Sequence, residues 1–396
     1  MVRRLCLRAA RPDEPVAFGA RQLMVLRDPV VWWESLERPL RYLPRAAALA
    51  LLATMAALMV WSIFATAPVE QAAVLDKPTQ TEVASEGQGG DGDLALYRRI
   101  SERVTAGEGY YAAAVSEQRA SNYPVRPFVT VRLPTLAMIH KAIGIDGARV
   151  LVVILLLLAV LFMMQRLRGQ CLPLERVGAG ILLLFGGAAA MTPQGGLIHG
   201  VLAGLLLTLA LALYDPRRWW PALIAAGLAL AVRELAAPFV LLWLVLALMQ
   251  RSYREAAGVA ALLALFGIGL YFHYLGVTAQ LLPGDPASPG WDALAGLALP
   301  LVALSKLTAL LLLPTWLAAP LAILPLLGWL APGGRLGLFA SLWFAGFFLG
   351  VALFARPENF YWVQLALPAY FAGFAFVPRA FADLTSAIRG AQQHNP

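Results

Sequence analysis

"VLVVILLLLAVLFMM" (residues 150–164) contains no polar side chain at all. A helix built from it is apolar on every face, which water does not tolerate at a helix surface. In a bilayer the same stretch satisfies its own backbone hydrogen bonds as a helix and presents only hydrocarbon outward. The whole chain points the same way. Of 396 residues, 60% are hydrophobic and 14% charged, and the mean hydropathy is +0.70; soluble domains lie near half apolar and a quarter charged. The expected fold class is all-α, a polytopic membrane protein.

Working outward from that segment, the apolar runs read as about ten spans: 46–66, 147–165, 177–192, 195–214, 219–232, 235–250, 256–275, 308–331, 335–355 and 360–378. "WDALAGLALPLVALSK" (291–306) is interrupted by Pro300 and ended by Lys306, and reads as an interfacial helix. An even count puts both termini on one side. With that side cytoplasmic, 19 of the 31 Lys and Arg residues lie inside, as the positive-inside bias requires. Eight of the remaining 12 fall between Lys77 and Lys141, in a loop too long for that bias to govern. The implied organisation is a cytoplasmic segment 1–45, a membrane domain 46–378 with an extracytoplasmic loop 67–146, and a cytoplasmic tail 379–396. In a bacterium this is an inner-membrane protein. Nine arginines precede the first apolar run, so the N-terminus does not read as a cleaved signal. Trp32, Trp33, Leu36, Leu40 and Leu43 recur near helical spacing and suggest an interfacial helix over 28–43.

Net charge +8 is accounted for by topology, and the arginines form no stripe of the kind that binds nucleic acid. Two cysteines, Cys6 and Cys171, make no disulfide framework, and no Cys/His cluster indicates zinc.

Polar chemistry concentrates in the long loop and in the short outward turns. Within the loop, 76–92 is rich in Gly, Ser and Gln and reads as a tether. From Asp93 the pattern turns helical, with Leu94, Tyr97, Ile100 and Val104 on one face and Gly107 as the stop. A second amphipathic helix is expected over 109–120, an extended segment with three prolines over 123–134, and a short helix over 135–143. The outward turns carry His199, Arg233, Glu234, Lys306, Arg356, Asn359 and Tyr361. Arg233 and Glu234 stand between two apolar runs, where an unpaired charge costs several kcal/mol (about 3 on lenient scales). They therefore pair with each other or face a polar cavity. His199 alone fits either a satisfied interfacial histidine or a site residue.

Acidic groups on a loop, cations on span tips and an aromatic lining suit a substrate that is at once anionic, sugar-bearing and lipid-borne. At this point a resemblance enters. The elements Asp93, "ALYRRI", "GEGYY", Glu117, Arg119, "RPF" and "RLP", together with "AVRELAAPFVLL" and "ARPENFYWVQLALP", resemble the GT-C membrane glycosyltransferases. The nearest branch looks like the bacterial enzymes related to mannosyl- and aminoarabinosyl-transferases. The resemblance implies a sugar moved from a polyprenyl-phosphate donor to a hydroxyl of a glycan, lipid or protein, with inversion. It implies an early loop carboxylate as general base, Asp93 here, with Asp91 as the competitor across Gly92. Arg233 and Arg356 are the first candidates for the donor phosphate, with Lys306, Arg126 and Arg132 as further cations. Glu234, Tyr97, Tyr110, Tyr111, Glu117, Arg119, His199, Asn359 and Tyr361 are the expected substrate contacts. No cofactor is required on this reading; Mg²⁺ or Mn²⁺ at Asp91 and Asp93 is the alternative. A transporter of lipid-linked sugars, or a non-catalytic assembly protein, is the rival reading.

Overall fold

The computed structural model describes residues 29–75, 92–291 and 293–390. Asp91, Cys6, the tract 76–91 and the last six residues lie outside the described part. All regular structure within it is helical, and the only β feature is an isolated bridge between Arg126 and Ala287. In chain order the helices are α1 (Pro29–Glu34), α2 (Arg45–Leu75), α3 (Asp93–Thr105), α4 (Tyr110–Ala120) and α5 (Thr135–Arg166). There follow α6 (Pro173–Gly186), α7 (His199–Leu213), α8 (Trp220–Val232), α9 (Ala237–Met249), α10 (Tyr253–Thr278) and α11 (Ala298–Lys306). The last are α12 (Thr315–Leu321), α13 (Leu324–Leu330), α14 (Gly334–Phe354), α15 (Leu367–Ala372) and α16 (Val377–Arg389). Short 3₁₀ segments link them, the longest being Pro357–Leu365.

These starts are set by proline rather than by polar caps. Pro173, Pro221, Pro238, Pro325, Pro357, Pro368 and Pro378 each occupy the first turn of a helical segment. There the missing N–H is not needed and the fixed φ suits the helix. An Ala/Leu-rich chain with few Ser or Asp caps thus still delimits its helices.

Among the described residues, four helices are long and apolar enough to cross a membrane: Arg45–Thr66, Phe128–Arg166, Tyr253–Thr278 and Gly334–Phe354. A fifth candidate is the pair Pro357–Leu365 and Leu367–Arg389, bent by 68°. His199–Leu213, Trp220–Val232, Glu234–Met249 and Thr315–Leu330 are apolar but shorter. A helix of 13 residues, such as α8 or α9, rises only about 20 Å, against roughly 30 Å of hydrocarbon. The outward faces carry leucine and phenylalanine, with Phe64 71% and Leu157 56% exposed, a surface suited to lipid.

Two sequence expectations change. Residues 28–43 do not form one interfacial helix. The chain is helical over α1 and over Pro39–Tyr42, with Arg38 non-helical before Pro39, because proline disfavours the helical conformation in the residue ahead of it. Leu40 is fully buried, and the Leu36 carbonyl accepts from the Gly334 N–H, so this segment is stitched to the bundle. The expected interfacial helix over 291–306 is instead α11, whose Ala298–Pro300 and Val302–Ser305 are buried among α2, α14 and Pro357–Leu365. Its lack of charge before Lys306 makes burial favourable.

The described residues form two apolar cores. The larger joins the bundle helices. The smaller joins α3, α4 and the segment after them through Leu96, Ile100, Val104, Ala113, Val115, Val125 and Val131, and reaches Val277 at the end of α10. The buried stripe of α3 starts at Leu96 rather than at Leu94, which is half-buried. Gly144, at φ 76°, breaks α5 into an outer piece and the long apolar run, so the short helix expected over 135–143 is present. That backbone conformation is strained for any residue with a Cβ.

The loop helices carry their own ion pairs. Arg103 bridges Glu108 and Glu117 at 2.7 Å each, and Arg99 reaches Glu117 at 2.9 Å. Arg119 clasps Asp285, beyond the end of α10, with 2.5 and 3.0 Å contacts and also donates to the Gln280 carbonyl. At the opposite ends of α10 and α14, the fully buried Glu255 accepts from Tyr214, Trp243 and Arg335.

Leu96→Ala deletes a fully buried side chain from the smaller core and should destabilise it by about 2–5 kcal/mol. Limited proteolysis between residues 93 and 134 should become faster, with the bundle helices still protected. The Arg119 guanidinium holds Asp285 down to about 2, against an ordinary 3.8. A depressed carboxylate stabilises above its unfolded pKa and loses that contribution as pH falls through the folded one. Protection of the clasp against hydrogen exchange should therefore hold above pH 4 and fade toward pH 2, and Asp285→Asn should already lack it at neutral pH.

Candidate functional site

Asp93 begins α3, and its Oδ1 accepts a 2.6 Å hydrogen bond from the Tyr123 hydroxyl. Burial first, and the Asp93 charge second, push the Tyr123 pKa upward, so the phenol stays protonated and remains a donor. One turn along α3, Tyr97 faces the same space and feels the Asp93 carboxylate; burial is the main cause of its raised pKa.

Arg132 ties this group to the bundle. Its Nε donates to Tyr97 Oη at 3.1 Å, its Nη2 to Tyr361 Oη at 3.1 Å, and its Nη1 lies 3.7 Å from Glu234. Tyr110 donates to the Arg132 carbonyl at 2.5 Å, fixing the backbone as well. Tyr361 in turn donates to Asn359 at 3.4 Å. All three nitrogens of Arg132 are thus committed to protein groups.

Arg233 is different. It is 2% exposed, and its Nε and Nη2 find no hydrogen-bond partner among the described residues. Its guanidinium carbon lies 5.6 Å from the Tyr361 ring centroid. The backbone explains the placement: α8 stops at Val232, Arg233 is extended, and a 3₁₀ turn from Glu234 to Ala236 leads into α9. Beside it, His199 packs edge-on against Tyr97 at 4.8 Å, and its buried Nδ1 is also without a partner among the described residues. A buried cation with two unmade hydrogen bonds is costly, and an anionic ligand is the chemistry that would satisfy it.

Close packing sets this geometry. A Cβ on Gly204 would lie 2.3 Å from the Gln364 carbonyl oxygen, so the glycine lets α7 meet the Pro357–Leu365 segment that carries Tyr361. A hollow of about 10 Å³ runs between Tyr97, Ser101, Gln118, Arg132, His140 and His199, with room for about one water.

The structure thus gathers Asp93, Tyr97, Tyr110, Arg132, His199, Arg233, Glu234, Asn359 and Tyr361 from the sequence expectations. It does not bring in the others. Arg356 engages Glu358 at 2.7 Å, and Arg126 donates to the Leu282 carbonyl. Glu117 and Arg119 belong to the loop ion pairs, and Tyr111 packs on His273. Lys306 lines a separate cavity with Val302 and Thr315. Asp91 is outside the described residues, and among those described no three His, Cys, Asp or Glu residues gather as a metal site. Sequence reasoning did not find Tyr123, or the buried pair Ser101–His140, where Ser101 Oγ lies 2.7 Å from Nδ1 and Nε2 lies 2.9 Å from the Gly196 carbonyl. A histidine in the apolar run "LAMIHKAIG" was the available signal for the latter; Tyr123 gave none.

Compared with protein-family models, curated proteins and solved structures, the chain matches none.

Replacing Arg233 with Met removes a buried, under-satisfied charge and keeps its volume. The variant should be no less stable than the parent, and more stable by up to about 1–4 kcal/mol, when no anion is supplied. Thermal unfolding in detergent, with and without added anionic substrate, checks this; ligand-dependent stabilisation should vanish with the arginine.

Proposed function

We propose that the protein is a membrane glycosyltransferase of GT-C type. It transfers a sugar from a polyprenyl-phosphate donor to an acceptor hydroxyl on the extracytoplasmic side. About ten helical segments cross the bilayer, with both termini cytoplasmic. The observation that carries the reading is Arg233, a buried cation with unmade hydrogen bonds against Tyr361, beside the Arg132–Tyr97 group whose helix α3 begins at the carboxylate Asp93.

In this reaction Asp93 takes the acceptor hydroxyl proton as its oxygen bonds to the anomeric carbon. The bond from that carbon to the phosphate oxygen breaks, and the lipid phosphate leaves. Developing positive charge on the sugar is stabilised by the carboxylate. Developing negative charge on the phosphate is met by Arg233, whose planar fork matches phosphate oxygens. One base and no covalent intermediate give inversion. Arg132 holds Tyr97, Tyr361 and Glu234 as the sugar-facing wall. Because the hollow fits about one water, substrate entry requires α3 and the segment around Tyr123 to lift from the helix tips.

The test is release of free polyprenyl phosphate from a panel of polyprenyl-phosphate sugars supplied to the purified protein. Asp93→Asn should lower the rate by about 10²–10⁴-fold, the usual worth of a general base. Tyr123→Phe should cost about tenfold, by loosening the carboxylate. Full turnover in the Asp93→Asn variant would remove the base assignment, and a panel without any turnover would remove the reading.

A further inference from the structure

At the end of the bundle away from the Arg119–Asp285 clasp, two turns lie side by side: the one between α7 and α8, and the one between α9 and α10. Tyr214 donates to Glu255 at 2.7 Å, and a Cβ on Gly258 would lie 2.6 Å from the Trp219 ring. The start of α10 therefore rests on the residues just ahead of α8. These turns carry Arg217, Arg218, Arg251 and Arg254, all exposed. None of the four enters an ion pair among the described residues, whereas Arg335, Arg379 and Arg38 at the same end are each matched by a carboxylate. The acidic groups beside the four are committed elsewhere. Asp215 accepts the Arg217 backbone N–H at 2.8 Å, and Glu255 is buried against Tyr214, Trp243 and Arg335.

The depth of these turns follows from α10. This helix is apolar enough to span, and Leu265 and Ile268 at its middle are 66% and 56% exposed, so it faces lipid. Exposed tyrosines stand near both ends, Tyr253 at the start and Tyr271 toward the other. At about 1.5 Å per residue they lie roughly 27 Å apart along the axis, close to the ~30 Å of bilayer hydrocarbon. Tyrosine and tryptophan concentrate at both borders of that layer. Arg251 and Arg254 flank Tyr253 and so stand at headgroup level. Arg217 and Arg218 share it beside the exposed Trp220, with the Arg218 guanidinium carbon 5.2 Å from the Trp220 ring centroid.

We propose that these two turns bind the headgroups of anionic phospholipids in the leaflet at this end of the bundle. The guanidinium groups donate to the phosphate oxygens, and Trp220 and Tyr253 pack among the glycerol and upper acyl chains. A zwitterionic lipid offers the same phosphate but carries its own cation beside it. Free glycerol phosphate offers the charge but nothing for the aromatic rings. The inference does not depend on the sugar-transfer reading.

The experiment uses the purified full-length protein in neutral detergent and native mass spectrometry. It is titrated separately with phosphatidylglycerol, phosphatidylcholine and glycerol phosphate. Phosphatidylglycerol should bind in preference to the other two. Changing Arg217, Arg218, Arg251 and Arg254 together to Gln should weaken it by at least about tenfold, whereas changing all four to Lys should hold it within about threefold. Thermal unfolding of both variants should match the parent, because the four side chains are exposed and outside any ion pair. Arg98, Lys141 and Arg149, exposed toward the other end, should leave phosphatidylglycerol binding unchanged when replaced together by Gln. Equal binding of phosphatidylcholine, equal binding of glycerol phosphate, parent-like affinity in the fourfold Gln variant, or an equal loss in the threefold one would each overturn the proposal.

Discussion

The Arg132 guanidinium is the constraint on which the arrangement depends. One planar group makes contacts to three separate parts of the chain: Tyr97 on α3, Tyr361 on Pro357–Leu365, and Glu234 in the turn between α8 and α9. Only arginine presents donors in several directions at once from a rigid plane; lysine offers its three donors from a single nitrogen and does not reach as far apart. The loop helices are thereby registered against the bundle tips to within hydrogen-bond tolerance. Asp93 inherits its position from that registration, since it shares α3 with Tyr97 and is held by Tyr123.

Arg132 and Arg233 also illustrate how similar residues diverge in role. Arg132 stands in the loop segment before α5 and Arg233 at the end of α8, yet one is saturated by protein acceptors and the other is buried with donors unused. Saturation fits a structural cation, and a shortage of acceptors is what the proposed anion-binding role of Arg233 would require. Stability is sacrificed at the second position and recovered through the two apolar cores. The cost is tolerable because the loop core and the bundle core are joined by the Arg119–Asp285 clasp and by Val277.

The opposite end of the bundle follows the reverse rule. Glu255 has no exposed surface but accepts from a phenol, an indole and a guanidinium, so its charge is matched on several sides. Arg38 with Asp383 and Arg379 with Glu175 bind α16 to the neighbouring segments in the same manner. These pairs are complete, and they read as structure. Unbonded buried atoms occur at this end too, at Arg335 Nε, Arg176 Nε and Trp33 Nε1; Arg233 differs in having two guanidinium nitrogens without a hydrogen-bond partner among the described residues.

Composition and periodicity by themselves determined the helical class, the lipid-suited faces and the amphipathic helices of the loop, because hydrophobic burial is encoded residue by residue. They also identified Arg233, Glu234 and Tyr361 as polar residues between apolar runs, whereas Asp93 was singled out by the resemblance. They did not decide which cation is spent and which is spare: Arg356 turned to its neighbour Glu358, and Lys306 went to another cavity. Nor did they give the number of long spans, since Pro and Gly cut apolar runs into short helices whose joins depend on packing. Partner choice and helix continuity are long-range properties. They are fixed when distant segments such as α3 and Pro357–Leu365 come into contact, and no local pattern records that contact.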